Sequence, residues 1–312
     1  MNATTRLVQP WHTAKKGKKV VAELYRTSAE LLLATLSDNS IDLIITSPPY
    51  CMGMEYEKST SADDFLRDHK KLFPEVARVL KPGGSVCWQV GHHVSKGVVT
   101  PLDALVYIAA QESPKLVLRN RIVWTFGHGL HSPNRFSGRH ETILWFTKGG
   151  DYKFNLDDVR VPQKYPGKRH YKGEKKGRLS GNPLGKNPSD VWDIPNVKAK
   201  HVEKTTHPCQ FPVALPRRLI LALTSKGALV LDPYMGSGTS AVAALLEERR
   251  FIGCDTKQKY LSISKRRITE ALDGDINVRP DTPPRTPQKS ESVAKLPRRF
   301  RIARRKRYDK NV

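Results

Sequence analysis

The chain has 312 residues and carries 54 Lys and Arg against 30 Asp and Glu, a formal charge of +24. That length can bury a full hydrophobic core in one large domain, and so large an excess of positive charge points to a polyanionic partner, nucleic acid ahead of an anionic membrane surface. Cys51, Cys87, Cys209 and Cys254 stand singly, with no CxxC pair and no histidine at ligand spacing, which argues for a reducing compartment and against a structural zinc, so no metal is expected.

Residues 1–19, "MNATTRLVQPWHTAKKGKK", read as a basic arm without the apolar core of a secretory signal, and no stretch approaches the length of a membrane span. A soluble, cytoplasmic protein with no membrane partner is expected. "VVAELY" (Val20 to Tyr25) reads as a strand, "SAELLLATL" as a helix and "IDLIIT" as a second, buried strand. In "SADDFLRDHKKLFPEVARVL" capping residues precede Phe65, Leu72, Phe73, Val76 and Leu80 on roughly one helical face; "KPGG" is expected to stop the helix, and "SVCWQVG" to follow as a strand. "RNRIVWTF" and "ETILWFTK" read as strands joined by the polar loop "GHGLHSPNRFSGRH", with Trp124 and Trp145 in the core.

From Asp151 the apolar period fades, and Lys, Arg, Gly, Pro and Tyr take over in a loop-rich lobe rather than sheet. Regular pattern returns in "ALPRRLILALTS" (helix), "GALVLD" (strand), "TSAVAALLEERR" (helix), "FIGCD" (strand) and "KYLSISKRRITEAL" (helix). Strands alternating with helices predict an α/β fold with a mostly parallel sheet covered on both faces. The expected organisation is 1–19 basic arm, 20–150 and 206–272 two halves of one domain, 151–205 an inserted lobe, and 273–312 a basic tail, disordered when alone.

The most informative stretch is "ALVLDPYMGSGTSAVAALLEERRFIGCD". A strand runs into Asp232, glycines 236 and 238 make a tight turn, a helix begins near Thr239, and a second strand ends at Asp255. Glycine lets backbone approach a ligand closely, and an acidic residue about 20 positions on, at the next strand end, suits ribose hydroxyls. That is the sequence of a nucleoside pocket. The full GxGxxG of dinucleotide folds and the GxxxxGK[ST] phosphate loop are both missing, which disfavours NAD and ATP.

"DPYMGSGT" and "FIGCD", preceded by "THPCQFP" and, far upstream, by "TSPPY", resemble the S-adenosylmethionine-dependent DNA amino-methyltransferases of the β arrangement, over roughly residues 20–272. In that arrangement the catalytic motif precedes the target-recognition region, and the cofactor motif comes last. The resemblance implies a Rossmann-like methyltransferase sheet in circularly permuted motif order with an inserted DNA-recognition lobe. It implies S-adenosyl-L-methionine as cofactor and double-stranded DNA as substrate, in a restriction-modification or epigenetic setting where a cognate restriction endonuclease acts separately. It places Asp232, Pro233, Tyr234, Gly236, Ser237, Gly238 and Thr239 around the methionine part of the cofactor, Asp255 on its ribose, and Thr206, His207 and Pro208 over the methionine end. Where the family has an acidic residue near the adenine, "LYRTSAELL" offers Ser28, a departure that puts the equivalent role in doubt.

By the same resemblance Ser47, Pro48, Pro49 and Tyr50 form the catalytic motif. An exocyclic amino group is a poor nucleophile because its lone pair is delocalised into the ring. Acceptors that take its hydrogens favour a pyramidal nitrogen: Ser47 Oγ can accept, the Pro48 carbonyl is aimed by a backbone whose φ the prolines fix, and Tyr50 can stack on a flipped base. In the family SPPY goes mostly with cytosine N4 and DPPY with adenine N6, so Ser47 points to cytosine N4, with adenine N6 the alternative. "PCQ" at Pro208 to Gln210 looks like the nucleophile segment of cytosine-C5 enzymes, but it lies upstream of the glycine turn and no Glu-Asn-Val follows, so Cys209 is expected to pack. A non-catalytic nucleic-acid-binding protein on this fold is the remaining rival, and the intact motifs argue against it.

For DNA contact the expected residues are Lys164, Lys168, Arg169, Lys172, Lys175, Lys176 and Arg178 of the lobe, mostly on phosphates, together with Arg135 and Arg139. The loop holding Asn134, Arg135, Arg139 and His140 either borders the flipped base or carries ordinary loop polarity.

Overall fold

The computed structural model describes residues 8–50, 61–127, 129, 131–163 and 165–280. In chain order they form β1 (His12–Lys16), β2 (Lys19–Arg26), α1 (Ala29–Thr35), β3 (Ile41–Thr46), α2 (Ala62–Val79), β4 (Leu80–Val90), β5 (His92–Ser95), β6 (Val98–Pro101), α3 (Leu102–Ala110), β7 (Leu116–Thr125), β8 (His140–Lys148), a 3-10 turn at Asp157–Val159, β9 (Val191–Asp193), α4 (Ala214–Leu223), β10 (Leu229–Asp232), α5 (Thr239–Leu246), β11 (Arg250–Asp255) and α6 (Gln258–Asp273).

Nine strands make one sheet in the order β1-β2-β11-β10-β3-β4-β8-β7-β9. From β2 to β4 neighbouring strands are parallel, while β8 runs antiparallel to both β4 and β7. The expected α/β architecture is the one observed. The apolar runs of β3, β10 and β11 have no polar face because helices cover both sides of the sheet. Leu43 and Ile45 join the core beneath α4, α5 and α6; Ile44 joins the core beneath α1, α2 and α3.

Local chemistry sets the element ends. Ser28, placed by the family pattern near an adenine, is the N-cap of α1, its Oγ accepting from Leu31 N at 3.4 Å. Ser61 caps α2 in the same way, accepting from Asp64 N at 3.1 Å. The helix before "KPGG" ends sooner than expected: Leu80 is both its cap and the first residue of β4, and the strand runs through the glycines. Gly83 makes that possible, since at φ +73° a Cβ would stand 2.6 Å from the Asp151 carbonyl.

Five further elements lay hidden in the sequence, α3 among them. Part of the basic arm pairs antiparallel with β2 as β1, "HHVS" and "VVTP" form the small β5–β6 sheet, and Val191–Asp193 of the basic lobe adds β9 beside β7. Residues 281–312, most of the expected tail, lie outside the described residues. Among those described, no helix is long and apolar enough to cross a membrane.

Candidate active site

The permuted connections bring distant segments to one edge of the sheet. β3, β10, β11 and β4 run parallel, so Thr46, Asp232, Asp255 and Gln89 all lie at or near their carboxyl ends. Crevices outside the carboxyl ends of parallel strands are where open α/β sheets bind ligands. β8 runs the other way, so its first residues, His140 and Glu141, arrive at the same edge.

Ser47 to Tyr50 leave β3 there. Pro48 is buried, and Ser47, Pro49 and Tyr50 are partly buried. The Ser47 Oγ and Tyr50 Oη hydroxyls are 3.0 Å apart. Gln89 Nε2 donates to Tyr50 Oη at 2.8 Å and also donates to Glu141 Oε2, and Tyr50 Oη donates to the same carboxylate oxygen at 3.4 Å. Burial pushes the Glu141 carboxyl up to about 7, against the hydrogen bonds from Tyr50 and Gln89 that favour its ionised form. Burial, then the nearby Glu141 charge, push the Tyr50 hydroxyl well above its ordinary range, which keeps it protonated. Gly91 stands beside this cluster, where a Cβ would meet Tyr50 Cε2 at 3.2 Å and Glu141 Cγ at 3.5 Å.

Thr46, one residue before the motif, donates its Oγ1 proton to Asp232 Oδ1 at 2.7 Å. Ser240 Oγ donates to Asp232 Oδ2 at 2.7 Å, and Tyr234 N reaches Oδ1 at 3.1 Å. The buried Asp232 carboxyl, pushed up to about 6 by burial, thus clasps the end of β3 to the turn after β10. Its two oxygens are taken by protein donors, so it acts on a ligand by holding the loop.

The loop itself needs its glycines. Gly236 has φ +49°, and a Cβ there would stand 2.8 Å from His207 Nε2; Gly238 has φ +72°, and a Cβ there would stand 2.9 Å from Ser264 Cβ. From beneath, Ser264 Oγ donates to Gly236 O at 2.7 Å, and buried Arg267 donates through Nη1 to Ser237 O and Thr239 Oγ1, both at 2.9 Å. Ser237 and Thr239 are buried and turned toward Arg267, leaving backbone as what the loop can present to a ligand. Pro233 is buried, and partly buried Tyr234 lies edge-on to Trp88 at 6.3 Å between ring centroids. Asp255 is partly buried and accepts from Lys257 N at 2.8 Å; burial pushes its carboxyl up to about 6, opposed by the backbone N–H groups of Lys257, Gly236 and Thr256. His207 packs at 4.3 Å against the Tyr260 ring and is driven by burial down to about 4, so it is neutral; Thr206 and Pro208 beside it are exposed. A tight glycine cradle with a carboxyl at the next strand end is the donor set a nucleoside cofactor requires.

The residues expected on DNA divide by position. Lys168, Arg169, Lys172, Lys175, Lys176 and Arg178 are all exposed on an excursion closed by the Arg169–Leu179 bridge, and among the described residues none of them forms an ion pair. Lys164 lies outside the described residues. Arg135 is exposed and Arg139 partly buried on the loop between β7 and β8, with Phe136 fully exposed between them. Trp124 and Trp145 are core residues, their indole N–H groups donating to Ile194 O and Ser85 Oγ. The packing role expected for Cys209 is not observed: the residue is exposed and lies close enough to Tyr50 to influence its hydroxyl.

Sequence reasoning missed Thr46, Gln89, Gly91, Glu141, Ser264 and Arg267. One signal was available: Gln89 and Glu141 are polar residues at the ends of otherwise apolar strands, where a side chain must find a partner or a ligand.

A family model described as DNA methylase matches residues 41–266. The Bacillus subtilis protein named type II methyltransferase M.BglII is 45% identical over 248 residues, covering 79% of this chain and 69% of its own length. The Escherichia coli (strain K12) protein named DNA adenine methyltransferase YhdJ is 30% identical over 256 residues, covering 80% of this chain and 81% of its own. Among solved structures, the PvuII DNA methyltransferase (cytosine-N4-specific) aligns with a TM-score of 0.65 at 22% identity, over 86% of this chain and 96% of that one, a likeness of fold.

Proposed function

The chain belongs to the DNA methylase family, the amino-methyltransferases that use S-adenosyl-L-methionine on DNA, and on that premise we propose that its product is N4-methylcytosine in duplex DNA. The observation that carries this reading is Ser47 at the carboxyl end of β3, one residue beyond the Thr46–Asp232 bond that joins it to the glycine loop. Serine in this position goes mostly with cytosine N4 in the family, as aspartate does with adenine N6.

Tyr234, Gly236, Gly238 and Asp255 would hold the cofactor, with Asp232, Ser237 and Thr239 bracing the loop and Thr206, His207 and Pro208 closing one side. The cofactor supplies an electrophilic methyl group. What this chain supplies is orientation and a matched set of acceptors. Ser47 Oγ and the Pro48 carbonyl take the hydrogens of the target amino group, so that its lone pair is no longer committed to the ring and can be aimed at the methyl carbon. Tyr50 stacks on the flipped base. Positioning and an electrostatically suited pocket can supply much of the rate enhancement without a covalent intermediate.

We assign residues 151–205 as the target-recognition lobe. Its exposed lysines and arginines supply affinity on the phosphate backbone, aided by Arg135 and Arg139 from the loop after β7. The setting we favour is restriction-modification, where the mark shields DNA from a separately acting endonuclease; the type II name of the Bacillus relative supports it. Adenine N6 is the second reading, favoured by the Escherichia coli relative named for adenine.

The deciding experiment is to incubate the protein with unmethylated duplex DNA and labelled cofactor, digest to nucleosides, and identify the product by mass spectrometry. N4-methyldeoxycytidine is the expected product. N6-methyldeoxyadenosine would overturn the base assignment, and no labelled nucleoside would overturn the activity.

A further inference from the structure

The hydrogen-bond chain behind the catalytic motif has a direction, and Glu141 fixes it. Gln89 has no free choice at its amide nitrogen: its two N–H groups go to Tyr50 Oη and to Glu141 Oε2. The carboxylate also accepts the hydrogen bond from the Tyr50 hydroxyl, which leaves Tyr50 Oη to accept across the 3.0 Å to Ser47, where either hydroxyl could donate. We infer that Glu141, through Tyr50, sets the polarity of Ser47, so that Ser47 meets the target amino group with lone pairs instead of a proton.

This inference rests on the amino-group reading of the site. With Glu141 replaced by an apolar side chain, or protonated on the oxygen that faces Tyr50 so that it donates there, Tyr50 turns its proton to Ser47, and Ser47 then points its own proton at an amino group that also donates. Donor facing donor repels, and the pyramidal nitrogen is lost. Glu141 is therefore a positioning residue, and the ionised form is the working one.

Its surroundings are specific. Glu141 faces Gln89 of β4, Gly91 just after β4 and Tyr50 of the motif, and Trp124 of β7 pairs with it across the strand. The Cys209 thiol faces Tyr50. His140, next to it in the chain, packs near His92, with ring centroids 6.4 Å apart. Glu141 reaches this position because antiparallel β8 pairs Thr142 with Val90 and Ile143 with Gln89, carrying the next residue to Gly91.

The test is the pH dependence of single-turnover methyl transfer to duplex DNA at saturating cofactor, for the wild type, Glu141→Gln and Glu141→Leu. The wild-type rate should rise about tenfold per pH unit on the acid side and level off above about 7, where Glu141 ionises. Glu141→Gln keeps an oxygen that accepts from Tyr50 and Gln89 but cannot titrate, so it should stay within about tenfold of the plateau and lose that limb, leaving only the lower one due to Asp232 near 6. Glu141→Leu should fall about 100-fold below the plateau at every pH, with cofactor Kd unchanged within about twofold. Persistence of the limb in Glu141→Gln, its loss in His92→Asn, His140→Asn or Cys209→Ser, or a full plateau in Glu141→Leu would overturn the inference. Failure of the wild type to transfer methyl at any pH would instead defeat the function reading beneath it.

Discussion

The glycine loop after β10 and the basic excursion from Lys168 to Ser180 are opposite extremes of burial. In the loop, Gly236 to Ser240 are all buried, two backbone conformations are left-handed, and Asp232, Ser264 and Arg267 fasten it from three sides. In the excursion, every residue from Tyr171 to Ser180 is exposed, and its backbone hydrogen bonds are mostly those of its own turns. A small rigid cofactor needs one geometry held by irreplaceable residues. A long polyanion of repeating charge needs positive density, which many lysines can share.

That contrast can be broken most severely at Asp232. Asp232→Ala leaves Thr46 Oγ1, Ser240 Oγ and Tyr234 N without their acceptor; at about 1–3 kcal/mol for each buried group so stranded, the loss should amount to several kcal/mol, read as a clear drop in Tm. Next comes Gly236→Ala, which puts a Cβ 2.8 Å from His207 Nε2 at φ +49°. Cofactor affinity by calorimetry should fall about 10- to 100-fold, roughly 1–3 kcal/mol of strain and displacement. If Gly236→Ala bound cofactor normally, the loop would not be the rigid member of the pair.

Third is a pH effect. The Asp255 carboxyl is pushed up to about 6; if, as proposed, its ionised form accepts from ribose hydroxyls, cofactor binding should be full above that value and weaken as pH falls through it. Asp255→Asn should bind more weakly and lose most of that dependence. The smallest effect belongs to the excursion: Lys175→Ala with Lys176→Ala should weaken DNA binding only a few-fold and flatten the log–log salt dependence by about 0.9 per phosphate contact removed. Loss of methyl transfer at saturating DNA in that double variant would mean that the excursion shapes the site directly.

The same contrast governs what the sequence discloses. The "SPPY" end and "DPYMGSGT" turn are legible because proline and glycine fix backbone geometry within a few residues. Gln89 and Glu141 come together through the antiparallel register of β8 on β4, 52 positions apart in the chain, so the polar strand ends that mark each of them could not show that they meet. Arg267 sits in the basic run of "KYLSISKRRITEAL", where nothing local sets it apart from its neighbours, yet it is buried under the loop and lowered to about 10 by desolvation. β1 and β9 escaped notice because edge strands of charged and short segments lack the apolar run that betrays a central strand.

At the centre stands the proposed division of labour between the end of β3, acting on the amino group, and the glycine loop, holding the cofactor. Single-turnover methyl transfer by Ser47→Ala, with cofactor saturation verified on the same sample, tests it most directly. A rate lowered by about 100-fold or more with cofactor Kd unchanged within about twofold is the predicted result. A cofactor affinity that falls in step with the rate would contradict it.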